Sequence, residues 1–283
     1  MTLVLGAVAH DPKVVTVWTA LRTWLRERGL PVDFVLYSHY ELQVEELVAG
    51  RVHAAWNSPL AWIRTERLAK AAGRSAWPLV MRDSDQDLTS VILVRRDSPY
   101  EKTTDLAEHT IGLGAVDSPQ AGLLPRALLR DSGLVPGENI TVRHFDEGAG
   151  LHGNDDTAER AAAAALLAGS VDAAAVIDLN HLIFTRENTL PPRSTRVLTR
   201  TAPYDLGNVT VGTTAPAELV ERLRGLLLSM NYSNPADRHL LDLQDMVMWR
   251  HGRTRGYQQL AASVDAEGFY STDGAITAEG YRP

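Results

Sequence analysis

One short pattern occurs twice in this sequence, and it limits the folds open to the chain. Leu47-Val48-Ala49-Gly50-Arg51-Val52-His53-Ala54-Ala55 returns in type and register as Leu166-Leu167-Ala168-Gly169-Ser170-Val171-Asp172-Ala173-Ala174. Each copy reads as the end of an apolar helix, a glycine able to close it, and a buried strand. The match is too short to establish duplication. It does put one helix–glycine–strand unit in each half of the chain, which implies two lobes of similar α/β construction. At 283 residues the chain is long for one compact domain and comfortable for two.

The first half alternates regularly. Residues 1–6 read as a strand, and a loop at Ala9-His10-Asp11-Pro12 leads into an amphipathic helix ending at Gly29. Trp18, Leu21, Trp24 and Leu25 share one face of that helix. A second strand at 32–37 is followed by Ser38-His39-Tyr40, a helix over about 41–48 that stops at Gly50, and a third strand at 52–56. Asn57-Ser58-Pro59 opens the next helix, with Ser58 as N-cap and Pro59 at the first helical position. This βαβαβα order implies a mostly parallel sheet whose ligands lie beyond the carboxyl ends of its strands.

A second organising stretch is IGLGAVDSPQAGLLPRALL, residues 111–129. It reads as a buried strand, a tight turn at Asp117-Ser118-Pro119-Gln120-Ala121-Gly122, and a helix. Such a turn aims backbone N–H groups at one spot and suits an anion or a polar oxygen; an ordinary connection with a serine cap fits it equally. Further strands are expected at 140–145, 171–177 and near 196–198, with a helix at 158–168 and helices at 216–228 and 235–243. A polar, glycine-rich loop spans 147–156, and a loop at 249–252 and a segment through Tyr257 finish the chain. Two β-branched runs, at 89–94 and 208–211, are candidates for paired crossings between the lobes.

Composition narrows the function. The net charge of −7 with scattered basic residues argues against a nucleic-acid partner. With no cysteine there are no disulfides and no thiolate chemistry. No apolar run is long enough to insert in a membrane. The chain starts directly in a strand, so the expectation is a cytoplasmic protein, or a periplasmic or cell-surface one whose leader has been removed. No phosphate-binding loop or dinucleotide fingerprint occurs, and no cofactor is expected. A Ser118/His152/Asp178 triad can be drawn, but no G-x-S-x-G elbow supports it. Four histidines, His10, His39, His152 and His181, can be drawn on paper with Asp155 or Asp178 around a divalent metal, but no HxH or HxxxH pair supports this and no metal is assigned. The oligomeric state is left open.

The segments LVAGRVHAAWNSPLAW, GAVDSPQAGLLPRALL and ALLAGSVDAAAVID occur in the order seen in phosphate/phosphonate-type periplasmic binding proteins. The chain resembles that type 2 binding-protein group over nearly its whole length. The resemblance implies two α/β lobes joined by two hinge strands, with a ligand cleft between them. It implies one lobe at 1–90 plus 208–283 and the other at 91–207. Phosphonate binders carry Ser-Thr-Ser in the central turn, and Ser118, Pro119 and Gln120 occupy those positions here. Only the first hydroxyl survives and Pro119 lacks an N–H, so a carboxylate or a neutral ligand on the Gln120 amide stands beside a phosphonate.

The expected ligand contacts are His10, with Asp11 beside it, then Tyr37, His39, Tyr40, Asn57 and Ser58 in the first lobe. In the second they are Ser118, Gln120, Ala121 and His152, the last with Asn154 and Asp155 nearby. Asp178 matches a family position used against ligand amines; Asn180 and His181 adjoin it, and Asp205 and Asn208 lie at the second crossing. The expected function is capture of a small polar or anionic metabolite (phosphonate-, sulfonate- or carboxylate-like) by hinge closure, as the binding protein of an ABC transporter. The alternative is a cytoplasmic enzyme on the same scaffold. It would be a lyase, decarboxylase or dehydratase using cleft His and Asp as general acid and base, with or without a metal.

Overall fold

A computed structural model describes residues 1–145 and 150–283. Residues 146–149, in and just before the expected glycine-rich loop, lie outside the described residues.

The first sheet forms where the sequence alternates. β1 (Leu3–Val8), α1 (Lys13–Glu27), β2 (Val32–Tyr37), α2 (Tyr40–Ala49), β3 (Ala54–Asn57) and α3 (Pro59–Ala71) follow in turn, and then β4 (Ala76–Arg82). β1 pairs in parallel with β2 and β3. Leu21, Trp24 and Leu25 bury the inner face of α1, while Trp18 stays partly exposed at its rim.

The second sheet takes β5 (Ser90–Arg95), β6 (Thr110–Leu113), β7 (Thr141–His144), β8 (Ala173–Ile177) and β9 (Thr195–Arg200) in the order β7-β6-β8-β5-β9. Its helices are α4 (Leu124–Asp131), α5 (Thr157–Leu167) and α6 (Asp178–Arg186). The chain then returns to the first sheet through β10 (Asn208–Gly212), α7 (Ala217–Leu228), α8 (Pro235–Leu243), β11 (Trp249–His251) and α9 (Gln258–Glu267). β10 enters antiparallel between β3 and β4, giving β11-β4-β10-β3-β1-β2. The fold is a two-lobed, type 2 binding-protein-like α/β arrangement. Its first sheet is mixed, because the strands returning from the second lobe run against the βαβ unit.

The repeated pattern forms the same structure in each lobe. Gly50 and Gly169 adopt φ of +80° and +72° at the ends of α2 and α5, and β3 and β8 follow at the centre of their sheets. At Gly50 an added Cβ would also meet the Thr214 hydroxyl at 2.9 Å.

Three expectations need correction. The β-branched runs are not the crossings: 89–94 supplies β5 of one sheet and 208–211 supplies β10 of the other. The chain crosses just before each, at 83–89 and 201–207, where Leu88 and Tyr204 exchange backbone hydrogen bonds of 2.8 Å each. β-branching reports a strand with buried neighbours and does not say which sheet receives it. The strand expected at 171–177 begins only at Ala173 and gives way directly to α6 at Asp178, and the expected loop at 249–252 contains β11. β4, interrupted in the pattern by Pro78, and α9 were not legible either.

Beside the crossings, Asp205 is 1% exposed and holds Arg253 at 2.7 and 2.6 Å through both oxygens, while Oδ1 also accepts from the Asp87 N–H. Removing the guanidinium would strand a buried carboxylate. Arg253→Ala is expected to lower the unfolding free energy by about 3 kcal/mol in urea titrations; unchanged stability would show that the pair does not hold the crossings.

Candidate functional site

The lobes enclose a cavity of about 480 Å³ and meet beside it in a buried seam. The first lobe lines the cavity with the segment from the end of β1 into α1, including His10, Asp11 and Trp18, and with Trp56, Arg82 and Asp245. The second lobe contributes Gly153, Asn154, Asp155, Asp156 and Asn180.

The seam is built around one glutamate. Glu41, in the first turn of α2 and 2% exposed, accepts at Oε1 from Tyr270 Oη and Tyr281 Oη, 2.8 Å each. His152 Nε2, from the opposite lobe, lies at 2.8 Å from the same oxygen. Burial pushes the Glu41 carboxyl up, but the His152 charge and the bonds from His152 and both tyrosines outweigh it and hold it at about 2. His152 Nδ1 lies 2.6 Å from the Ser58 hydroxyl. Ser58 is also the N-cap of α3, accepting from the Ala61 N–H at 3.0 Å, with Pro59 behind it as the sequence implies. The Tyr40 ring stacks on His152 at 4.8 Å, and Asn154 donates to the Tyr40 hydroxyl.

Asp117 anchors the loop that carries His152. Its Oδ2 accepts from Gly150 N–H at 2.6 Å, His152 N–H at 3.3 Å and Tyr281 Oη at 3.3 Å. Burial raises its pKa. These bonds hold His152 at φ +54°, a left-handed conformation that costs a non-glycine residue about 1 kcal/mol. The neighbouring Gly153 lies against the central turn. Its carbonyl accepts from Gln120 Nε2 at 2.5 Å, and an added Cβ would sit 2.4 Å from Ser118 Oγ. Ser118 caps the turn itself, accepting from Ala121 N–H at 3.1 Å, and Pro119–Leu123 winds as a π-helical turn before α4.

The expected contacts therefore divide. His10 and Asn180 line the cavity, with Asp11, Asn154 and Asp155. Tyr40, Ser58, Gln120 and His152 form the seam, with Ser118 and Ala121 behind it in the turn. The rest are taken up by structural partners. Tyr37 packs with Val8, Val44 and Leu47. His39 caps α2, accepting from Leu42 N–H at 3.3 Å. Asn57 is satisfied in the core by Gln43, Thr65 and Thr210. Asp178 pairs with Arg200 at 3.1 Å, Asp205 with Arg253, and Asn208 donates to Tyr257 Oη.

The drawn triad is not assembled: Ser118, His152 and Asp178 each bond elsewhere. Ser58, His152 and Glu41 have triad connectivity, but all three are 2% exposed and none of them lines the cavity. The four histidines do not converge, and among the described residues no group of three or more His, Asp or Glu is placed to hold a metal ion.

Sequence reasoning missed Glu41, Asp117, Tyr270 and Tyr281, and read Trp18 and Trp56 as core and strand positions. No local signal in the sequence marks Glu41, since α2 also carries Gln43, Glu45 and Glu46 and only burial sets Glu41 apart from the other two glutamates.

A family profile described as "ABC transporter, phosphonate, periplasmic substrate-binding protein" matches residues 7–257. The chain belongs to this family. The binding protein resembles PhnD1 from Prochlorococcus marinus, solved with methylphosphonate, at 14% identity and TM-score 0.70, covering 94% of this chain and 97% of that one. XAC2383 from Xanthomonas citri, solved with chloride, is 24% identical at TM-score 0.70, covering 94% and 98%. The aliphatic sulphonate binding protein SsuA from Escherichia coli is 19% identical at TM-score 0.53, covering 94% and 74%. These likenesses establish the two-lobed fold. No curated protein sequence matches the chain. Among the described residues no helix is long and apolar enough to cross a membrane.

Glu159 supports the second-lobe wall from below. It is 2% exposed, accepts from Ile177 N–H and from Asn180 Nδ2 at 2.9 Å each, and burial pushes its carboxyl up to about 7. A raised carboxyl favours the folded state while protonated, so this contribution is complete below 4.5 and is lost as pH rises through about 7. Glu41 acts in the opposite sense, its contribution falling as pH drops from 4.5 toward 2. Denaturation across this range should show a Glu159 slope of up to about 1.4 kcal/mol per pH unit. Glu159→Gln should remove that slope and keep the acid-side loss.

Proposed function

We propose that this binding protein captures a small polar metabolite in the cavity between its lobes and acts as the receptor of an ABC-type importer. The observation that carries the reading is a cavity of about 480 Å³ whose walls come from both lobes beside two chain crossings. A ligand there touches both halves at once, so its contacts favour the closed arrangement over an open one. We read the lobes as 1–90 plus 208–283 and 91–207, hinged at the paired crossings. The family description, which is periplasmic, favours an exported protein over the cytoplasmic expectation.

No observation favours the enzyme alternative. The constellation nearest to catalytic machinery is Ser58, His152 and Glu41, and it is sealed in the seam. Its hydrogen bonds hold the lobes together.

The reading is tested by a thermal-shift and small-angle scattering panel of phosphonates, sulfonates, carboxylates and their amino derivatives, followed by mass spectrometry of each hit. A ligand at 100 times its Kd should stabilise the fold by about 2.7 kcal/mol. It should also leave the radius of gyration at the compact value and be recovered unchanged. Recovery of a converted product would replace binding with catalysis.

A further inference from the structure

On the reading that the lobes hinge at the paired crossings, we propose that the segment 258–283 is a strap that holds them closed without a ligand.

The segment touches both lobes in turn. α9 lies on α4 of the second lobe, where Glu267 pairs with Arg126 at 2.5 Å and with Arg130. The buried Ser263 hydroxyl donates to Leu123 O at 2.8 Å, and Leu260 and Val264 share an apolar cluster with Leu123 and Leu124. The chain then returns to α3 of the first lobe. Arg67 donates to Tyr270 O at 2.9 Å and Arg64 to Gly274 O at 3.1 Å. Gly274 lies so close that an added Cβ would sit 2.7 Å from the Leu68 side chain.

Tyr281 joins the two lobes directly. It is 3% exposed, and its hydroxyl lies 2.8 Å from Glu41 of the first lobe and 3.3 Å from Asp117 of the second. Burial and these two carboxylates push its pKa up, so it stays a proton donor. Beyond it, Pro283 lies against Gly150 of the second lobe, where an added Cβ would meet the Pro283 Cα at 3.1 Å.

Opening breaks these contacts whichever lobe the strap follows. If it stays on α3, Glu267 leaves both arginines and Tyr281 leaves Asp117. If it stays on α4, Glu41 loses the hydroxyls of Tyr270 and Tyr281. Either path gives up hydrogen bonds to charged groups, the stronger kind. None of these residues lines the cavity, so the strap acts whether or not a ligand is present and sets how often the cavity opens.

The test uses the ligand-free full chain. Hydrogen exchange is read at the Tyr40 N–H, which donates across the seam to Gly150 O at 3.1 Å. Tyr281→Phe should speed that exchange about tenfold or more, the effect of losing one hydrogen bond to a charged group. Glu267→Gln, at the other end of the strap, should act in the same direction. The control is Asp237→Asn, which loosens the first-lobe core at Trp24 Nε1, 2.7 Å away, without touching the strap. It should speed exchange in β1 and leave Tyr40 unchanged. Because the chain has no cysteine, spin labels at Val15→Cys and Leu182→Cys, one exposed site on each lobe, report the separation. The labelled chain should show one short distance, and adding Tyr270→Phe with Tyr281→Phe should bring in a longer one. Unchanged exchange in Tyr281→Phe, or a Tyr40 response to Asp237→Asn as large as to Tyr281→Phe, overturns the strap. So does a longer distance already present in the parent chain. These readouts use no ligand, so their failure leaves the binding reading to be decided by the ligand panel.

Discussion

Glu41 is taken out of water where the two lobes meet, and the closed arrangement depends on how its charge is met. An ionised carboxylate in a dry interior is tolerable only with strong donors on it. Here one oxygen receives two tyrosine hydroxyls and a histidine ring, all at 2.8 Å. The histidine comes from the second lobe and the tyrosines from the segment after α9. A single charge therefore ties together three distant parts of the chain. Asp117 repeats the arrangement on the other side of Tyr281, fixing the loop at 150–152 by its backbone N–H groups.

The placement of the ligand cavity follows from that seam. Because the loop at 150–153 is drawn onto the central turn, Gln120 is taken up by the Gly153 carbonyl, while Ser118 is occupied by its own cap on Ala121. The same loop then presents Asn154 and Asp155 to the space beside β1 and α1. Glu159, with its carboxyl pushed up to about 7, steadies the opposite corner by holding Asn180 at the start of α6. The cavity is thus shaped by residues that do not touch its contents, and its walls carry more negative than positive charge.

Local chemistry made much of this legible. Ser58 and Pro59 announce a helix start because a serine oxygen satisfies a free N–H and proline has none to lose. Gly50 and Gly169 announce helix ends because the left-handed backbone that follows suits glycine. His152 and Gln120, read from the polar loop and the turn as ligand contacts, are bonded within the seam to Ser58, Glu41 and the Gly153 carbonyl. Asn57, Asp178 and Asp205 looked equally suitable as ligand contacts, being polar residues at strand or crossing ends. The structure gives each a protein partner instead: Thr210 for Asn57, Arg200 for Asp178 and Arg253 for Asp205. A polar side chain at a strand end has the same local sequence whether a ligand or a distant arginine satisfies it.

By itself the sequence determined the alternation of strand and helix, the caps, the paired helix–glycine–strand units and hence two lobes of α/β type. Each depends on residues within a turn or two of one another. Only the tertiary structure decided which buried charges are shared and where the cavity opens. Glu41 meets partners 111, 229 and 240 residues away, and Asp117 meets Tyr281 across 164. Periodicity carries no information about such encounters, because they are fixed by how the two sheets are stacked and joined rather than by the neighbours of each residue along the chain.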